Sequence, residues 1–476
     1  MTINPFKSFI FVVCLLIASC QPQPELVEGE NLVVLEGATA ITGDEILPDS
    51  AIIIDNEEII RVGAAGEFRY PDQTIVVDLS GAWVTPGFID THVHYTEFDK
   101  DKLDIILRTL LANGVTTVRA AAGLTEFNVA LRDEIERGER LGPRMKTAGL
   151  PIDTPDGPMD WMAQVSTPEE MRTEIRKQAD EGVDYIKLYR TVGPVLAAVA
   201  VEEAHALDLK VIGHLNMTTW ADASAMGFDG IVHSGIYAPT WELAPEEHWE
   251  AIRRAFNQGR EPGEENGFKL LLDHVDLDSE KSQAWMEDLA DRGTPLEPNL
   301  VMLEALLWGD DQTTFDLYEP AKAPENWKGT FRLAFPHPAV AARTPEWAQE
   351  IKKTYPLFED LAVRLYRAGA VVSVGTDLMN PWMTPGASYH RELALLKNAG
   401  LTEREILKAA THFGAVAMTL EEQIGSIEAG KSADLVVLNA DPLADVRNFR
   451  DIRFVYLRGR KLSPAQLLNN TLSAAE

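Results

Sequence analysis

The rhythm of apolar and polar positions changes twice along this chain. Between residues 31 and 83, apolar residues alternate or run in short bursts (NLVVLEGATAI, SAIIIDNEEIIRVG, TIVVDLS) between Gly, Asp and Asn turns. That is the pattern of β-hairpins. The stretch 424–462 has the same texture, so the two ends of the chain are expected to share one small sheet domain, 31–83 with 420–465. Between them, short apolar runs alternate with segments of helical period, as in parallel α/β folds. Eight strand-like runs fall at 84–94, 114–119, 144–149, 183–189, 210–216, 229–235, 295–303 and 371–378, with helical segments such as 167–181, 195–207 and 346–368 between them. Eight βα units predict a (β/α)8 TIM barrel over 84–415, carrying a small composite β-sandwich domain built from both chain ends. Two stretches exceed ordinary connections, 237–292 (with Gly/Glu-rich 258–267) and 306–344. Insertions on βα loops lie over a barrel's mouth, so both are candidate lids.

Charge narrows the partners. The formal net charge is −31, from 43 basic and 74 acidic side chains. A field of that sign repels phosphate backbones and argues against nucleic acid. Hydrophobic content of 45% with 25% charged residues is that of a globular chain.

The first residues have a separate logic. Lys7 precedes the apolar run 9–18, which is too short to cross a bilayer and fits the core of a signal peptide, 1–19. The run ends Leu16-Ile-Ala-Ser-Cys20, which resembles the lipobox of bacterial lipoproteins. That resemblance implies lipidation of Cys20, a tether over 20–30 and, with Gln21 next, anchoring in the outer membrane of the bacterial cell envelope. The other reading is an ordinary secretory signal cut near Ser19. Cys14 and Cys20 are the only cysteines, so a processed chain has no disulfide and no thiolate to offer a metal.

The chemistry gathers at strand ends. The run 84–94 closes on His92 and His94, and residues i and i+2 of a strand face the same side. Two imidazoles there are a ready pair of metal ligands. Lys187, His214, His233 and Asp377 fall at the ends of four further strand-like runs. Singly, each has a plainer role: a satisfied core histidine, a lysine paired with an acid, an aspartate capping a helix. Together, in a barrel, they converge on one mouth. Arg119, Tyr189 and Arg190 follow strands at that end and are candidate substrate contacts, since arginine can grip a carboxylate with two hydrogen bonds. Pairing with some of the many acids is the alternative. His390, Glu392 and His412 are expected to pack.

These residues sit in motifs (PGFIDTHVH, GVTTVR, GVDYIKLY, VIGHLN, IVHSG, GTD, and the closing THFGAVAMTL…IGSIEAGKSADLVVLNADPL) through which the chain resembles the amidohydrolase superfamily over 31–465. The subgroup it looks most like is the imidazolonepropionase-like peptidases and carboxypeptidases that use a carbamylated lysine. The resemblance implies two divalent metal ions, zinc ahead of manganese or iron. His92, His94 and Asp377 would hold the more buried ion, His214 and His233 the more exposed one, and carboxylated Lys187 would bridge them. It further implies hydrolysis of an amide bond (in a dipeptide, at a peptide's C-terminus, or in an N-acyl amino acid) by a metal-bridging hydroxide, with Asp377 as general base and acid. One departure limits the transfer: Ala120-Ala-Ala-Gly123 stands where many relatives have Asp and then glycines. The substrate therefore does not carry over. A lactonase or esterase would use the same metals. A mononuclear deaminase is disfavoured by Lys187 and by Met217, where that chemistry uses glutamate, and a non-catalytic binding protein is expected to have lost ligands. The expected partner is a small-molecule or peptide substrate, with membrane contact only through the anchor; assembly into a homo-oligomer is left open.

Overall fold

The computed structural model describes residues 24–95, 100–157, 159–233, 240–257, 267–308, 311–318, 345–378, 380 and 382–469. The signal segment, Cys20, residues 258–266 and 319–344 of the two insertions, and Pro381 lie outside the described residues. Among the described residues, no helix is long and apolar enough to cross a membrane.

The fold is α/β, of the TIM-barrel kind. Strands Phe88–His94, Val115–Ala122 and Arg144–Thr147 form one parallel ladder. Tyr185–Leu188, Lys210–Gly213, Gly230–Val232 and Leu296–Glu297 form a second. Single parallel bridges then complete the circuit: Ala148 to Tyr185, Leu296 to Val372, and Leu378 back to Val93. The segment around 371–378 is thus the eighth stave, held by individual contacts and not by a continuous ladder.

A side chain supplies what that ladder lacks. The buried carboxylate of Asp90, on the first strand, accepts the Thr376 backbone N–H at 2.9 Å and the Thr376 hydroxyl at 2.7 Å. It also accepts the N–H of His92 at 3.2 Å. Backbone bonds from Thr91 N to Val374 O (2.9 Å) and from Asp377 N to His92 O (2.8 Å) run beside it. Burial pushes the Asp90 pKa up to about 7, since the Thr376 and His92 donors only partly offset desolvation.

Local signals set the helices. Thr167 and Glu170 make a capping box, and Pro168 opens the helix Pro168–Asp180. Pro194 likewise opens Pro194–Ala206.

Two expectations need correction. The run 84–94 is two strands. Trp83–Pro86 pairs antiparallel with Leu435–Leu438 in the small sheet, and the chain enters the barrel at Gly87, where a Cβ would collide with the Thr116 hydroxyl. The run 295–303 is a strand of only two residues, Leu296–Glu297, followed by the helix Leu300–Trp308. That helix is buried on every side except at Trp308, so its sequence shows no period by which to tell it from a core strand.

Both chain ends meet in one eight-stranded sheet. Its order is 460–462, 452–457, 435–438, 83–86, 32–41, 46–55 and 58–64, with 75–78 also pairing with 32–41. Alternation puts Leu32 and Val34 on one face and Leu35 on the other, and a register shift between Glu36 and Ala38 brings Ala38 and Ala40 onto the face of Leu35, with Val84, Leu435 and Val437.

Replacing Asp90 by alanine strands the Thr376 and His92 donors in the interior. Buried unsatisfied groups cost roughly 1–3 kcal/mol each, so Asp90→Ala is expected to lower the stability of the metal-free protein by about 3 kcal/mol in urea denaturation. A loss below about 1 kcal/mol would show that the barrel closes by other means.

Candidate metal centre

The strand that ends in His92 and His94 does bring the two rings together, with their Nε2 atoms 3.2 Å apart. Across the closure, Asp377 Oδ1 lies 2.9 Å from His94 Nε2 and 3.5 Å from His92 Nε2. One ligand atom from each of the three fits within 4.8 Å of the others. The His233 ring is 4.7 Å from that of His92, and its Nδ1 is 3.8 Å from Asp377 Oδ2. His214 continues the row, 4.5 Å from His233 between ring centroids, and Tyr189 leans on its other side at 4.3 Å. Lys187 is buried beside them, and its charge acts on Asp377, His92, His214 and His233.

The backbone is bent to make this possible. His233, Asn299 and Asp377 all have left-handed φ, at 65°, 51° and 59°. Such conformations cost about 1–3 kcal/mol for ordinary residues and persist only where neighbours hold them. Here the Asn299 side chain accepts the His233 N–H at 3.2 Å, and Asp377 N donates to His92 O at 2.8 Å.

Electrostatics then set each group's state. Burial, reinforced by the charges of Lys187 and neighbouring histidines, holds His92 and His214 well below the ordinary imidazole range. His233 is brought down to about 3, again chiefly by burial. At neutral pH these rings carry the lone pair that a metal needs. Burial acts to raise Asp377, but His233, His94 and Lys187 outweigh it and leave the carboxyl at about 2, ionised. Lys187 falls to about 7, because an ammonium is poorly solvated there. Among the described residues, its Nζ and the Nδ1 of His233 have no hydrogen-bond partner. Buried polar atoms without partners are rare in folded proteins. Neutral imidazoles, an ionised carboxylate and an orphaned amine on one wall are a donor set that fits a divalent cation.

Arg119 is not a substrate contact. Strand two runs on to Ala122, so Arg119 is a mid-strand residue facing the barrel interior, with 0% exposure. Its guanidinium donates to Thr91 O at 2.9 Å and Ala417 O at 3.0 Å and pairs with Glu297. Tyr189 and Arg190 are half-buried, and Tyr189 walls the site through His214. Sequence reasoning missed Glu297 and Asn299. Their signal is a lone acid and an asparagine flanking Pro298 in an otherwise apolar stretch, 295–303. His390 and Glu392 pack: the first lies 3.1 Å from Asn113 O, and the second accepts the N–H groups of Leu300 and Val301 at the start of a buried helix.

Comparison with known proteins gives this site its class. The sequence profile of the amidohydrolase family matches residues 83–236 and 359–462. The chain belongs to that family and is a metal-dependent hydrolase acting on C–N bonds of small-molecule substrates. Imidazolonepropionase of Pseudomonas putida is 24% identical over 422 residues, 84% of this chain and 90% of the relative. A Xaa-Pro dipeptidase with methionine bound in its active site shares the fold, with TM-score 0.68 and 19% identity over 91% of this chain and 100% of that one. So does a bottromycin amidohydrolase, with TM-score 0.68 and 22% identity over 91% of this chain and 87% of the other.

Lys187→Met keeps the side chain's bulk while removing the orphaned amine. Metal-free Lys187→Met is expected to unfold at the same temperature as metal-free wild type or higher, since a buried polar group without a partner is gone. Metal retained per chain after dialysis, read by elemental analysis, is expected to fall. An unchanged metal content would remove Lys187 from the centre.

Proposed function

We propose that this protein hydrolyses amide bonds, as a dipeptidase, carboxypeptidase or N-acyl-amino-acid hydrolase, at a binuclear zinc centre bridged by a carbamylated Lys187. The observation that carries this reading is the Lys187 amine: buried, without a hydrogen-bond partner among the described residues, and acting by its charge on Asp377, His92, His214 and His233. An ammonium has no lone pair to donate, whereas addition of carbon dioxide to the neutral amine, with loss of one proton, gives a carbamate whose two oxygens share one negative charge. A pKa near 7 leaves neutral amine available for that addition at physiological pH. His92, His94 and Asp377 would hold one ion, and His214 and His233 the other. Bound ions there would lower the pKa of a water and polarise the scissile carbonyl.

The chain's own residues do the rest. Asp377, ionised at neutral pH, takes a proton from the attacking water on a carboxylate oxygen and returns it to the departing amine nitrogen. Tyr189 shields the face of His214 and narrows the mouth on that side. Membership of the amidohydrolase family, with an imidazolonepropionase among the relatives, supports C–N hydrolysis as the reaction without choosing the acyl group. The lipobox-like run ending at Cys20 extends the proposal to an enzyme anchored by lipid in the cell envelope.

The test is incubation of the zinc-loaded protein with a library of dipeptides and N-acyl amino acids, followed by mass spectrometry. Cleavage of amides is expected, and turnover of lactones or other esters alone would contradict the proposal. On any substrate so found, Asp377→Asn is expected to lower kcat by about 10²–10⁴-fold, the usual contribution of a positioned acid–base group. Wild-type turnover in that variant would take Asp377 out of the proton path.

A further inference from the structure

Glu297 closes the two-residue seventh strand and is 2% exposed. Its Oε2 lies 2.8 Å from His92 Nδ1, on the side of the ring away from His94 and Asp377. Its Oε1 is paired with Arg119, which is itself tied to Thr91 O and Ala417 O and lies with its guanidinium carbon 5.0 Å from the Tyr185 ring centroid. The line Arg119–Glu297–His92 therefore runs wholly through the barrel interior and ends on a candidate ligand. A carboxylate paired with a guanidinium can only accept hydrogen bonds. A neutral imidazole has one proton to give, so the 2.8 Å contact requires that proton on Nδ1. The Nε2 lone pair is then left facing His94 and Asp377.

We infer that Glu297 is a positioning residue that fixes His92 in its Nδ1–H tautomer and holds its ring plane toward the metal site, with Arg119 as the countercharge that keeps a carboxylate in the barrel interior. The inference rests on reading the site as a metal centre, and needs neither the amide substrate nor the carbamate. A carboxylate behind a ligating histidine makes the ring a stronger donor and removes its freedom to turn; losing such a partner typically weakens metal binding 10–100-fold. Arg119 has a cost of its own, since a guanidinium without Glu297 would be a buried charge that has lost the carboxylate paired with it.

Two measurements test this. In metal-free wild type labelled with ¹⁵N-histidine, the His92 ring, assigned through the signal lost in His92→Asn, is expected as the Nδ1–H tautomer at neutral pH. An Nε2–H tautomer overturns the inference. By chelator competition, Glu297→Gln is expected to bind zinc 10–100-fold more weakly than wild type. In the cobalt-substituted form its visible spectrum is expected to shift, which a merely structural loss would not cause. Equal zinc affinity in the two proteins overturns the inference. If Glu297→Gln does not fold, the tautomer of the wild-type ring decides alone. Wild type that binds no zinc would defeat the metal-centre reading instead, and the tautomer would still be read independently.

Discussion

The carboxylate of Asp90 reaches from the first stave of the barrel to the last and binds residues 286 positions away. Beside that contact the eighth segment is held by scattered backbone bonds and by the Thr91 hydroxyl, which reaches Ser373 and Val374, and it is the eighth segment that delivers Asp377. The same closure turns Asp377 into a left-handed backbone conformation and places its side chain against His92 and His94. A metal site assembled from opposite ends of a sequence needs this kind of seam. The seam is made of side-chain and backbone hydrogen bonds that water cannot reach, so each is worth more than it would be at the surface.

Once the ring is closed, burial governs the chemistry. Desolvation is the largest influence on every titratable group at the mouth for which a shift is resolved, and it drives each toward its neutral form. Asp377 alone escapes, because His233, His94 and Lys187 surround it with favourable charge. The result is a wall of imidazoles that keep a lone pair, one anion and one lysine whose amine is partly neutral near pH 7, a donor set that suits a divalent cation. Beneath that wall the pattern reverses. Arg119 and Glu297 keep opposite charges in full burial by neutralising each other, and so orient His92 from behind.

Much of this was legible in the sequence, for local reasons. Period-two alternation put His92 and His94 on one side of a strand, and polar residues at the ends of apolar runs marked Lys187, His214, His233 and Asp377. Helical period marked the segments 167–181 and 195–207. What could not be read depended on distance or on missing contrast. Apart from Glu304 the stretch 300–308 is apolar, with no period that distinguishes a buried helix from a strand. Arg119 was assigned to the mouth because the strand that carries it was ended three residues early; in the folded chain it is an interior residue. Glu297 makes sense only with its partners, 178 and 205 positions away, and Asn299 only with the turn of His233. Residues that hold ligands from behind carry no spacing signal, because the fold brings them there and not the strand.

The central claim is that one buried lysine joins two metal ions. A crystal structure of the protein grown with zinc and bicarbonate, with anomalous scattering recorded at the zinc edge, tests it most directly. The account predicts two anomalous peaks flanking Lys187 and continuous density for a carbamate on its Nζ. A single peak held by His92, His94 and Asp377, with an unmodified Lys187 side chain, would contradict it.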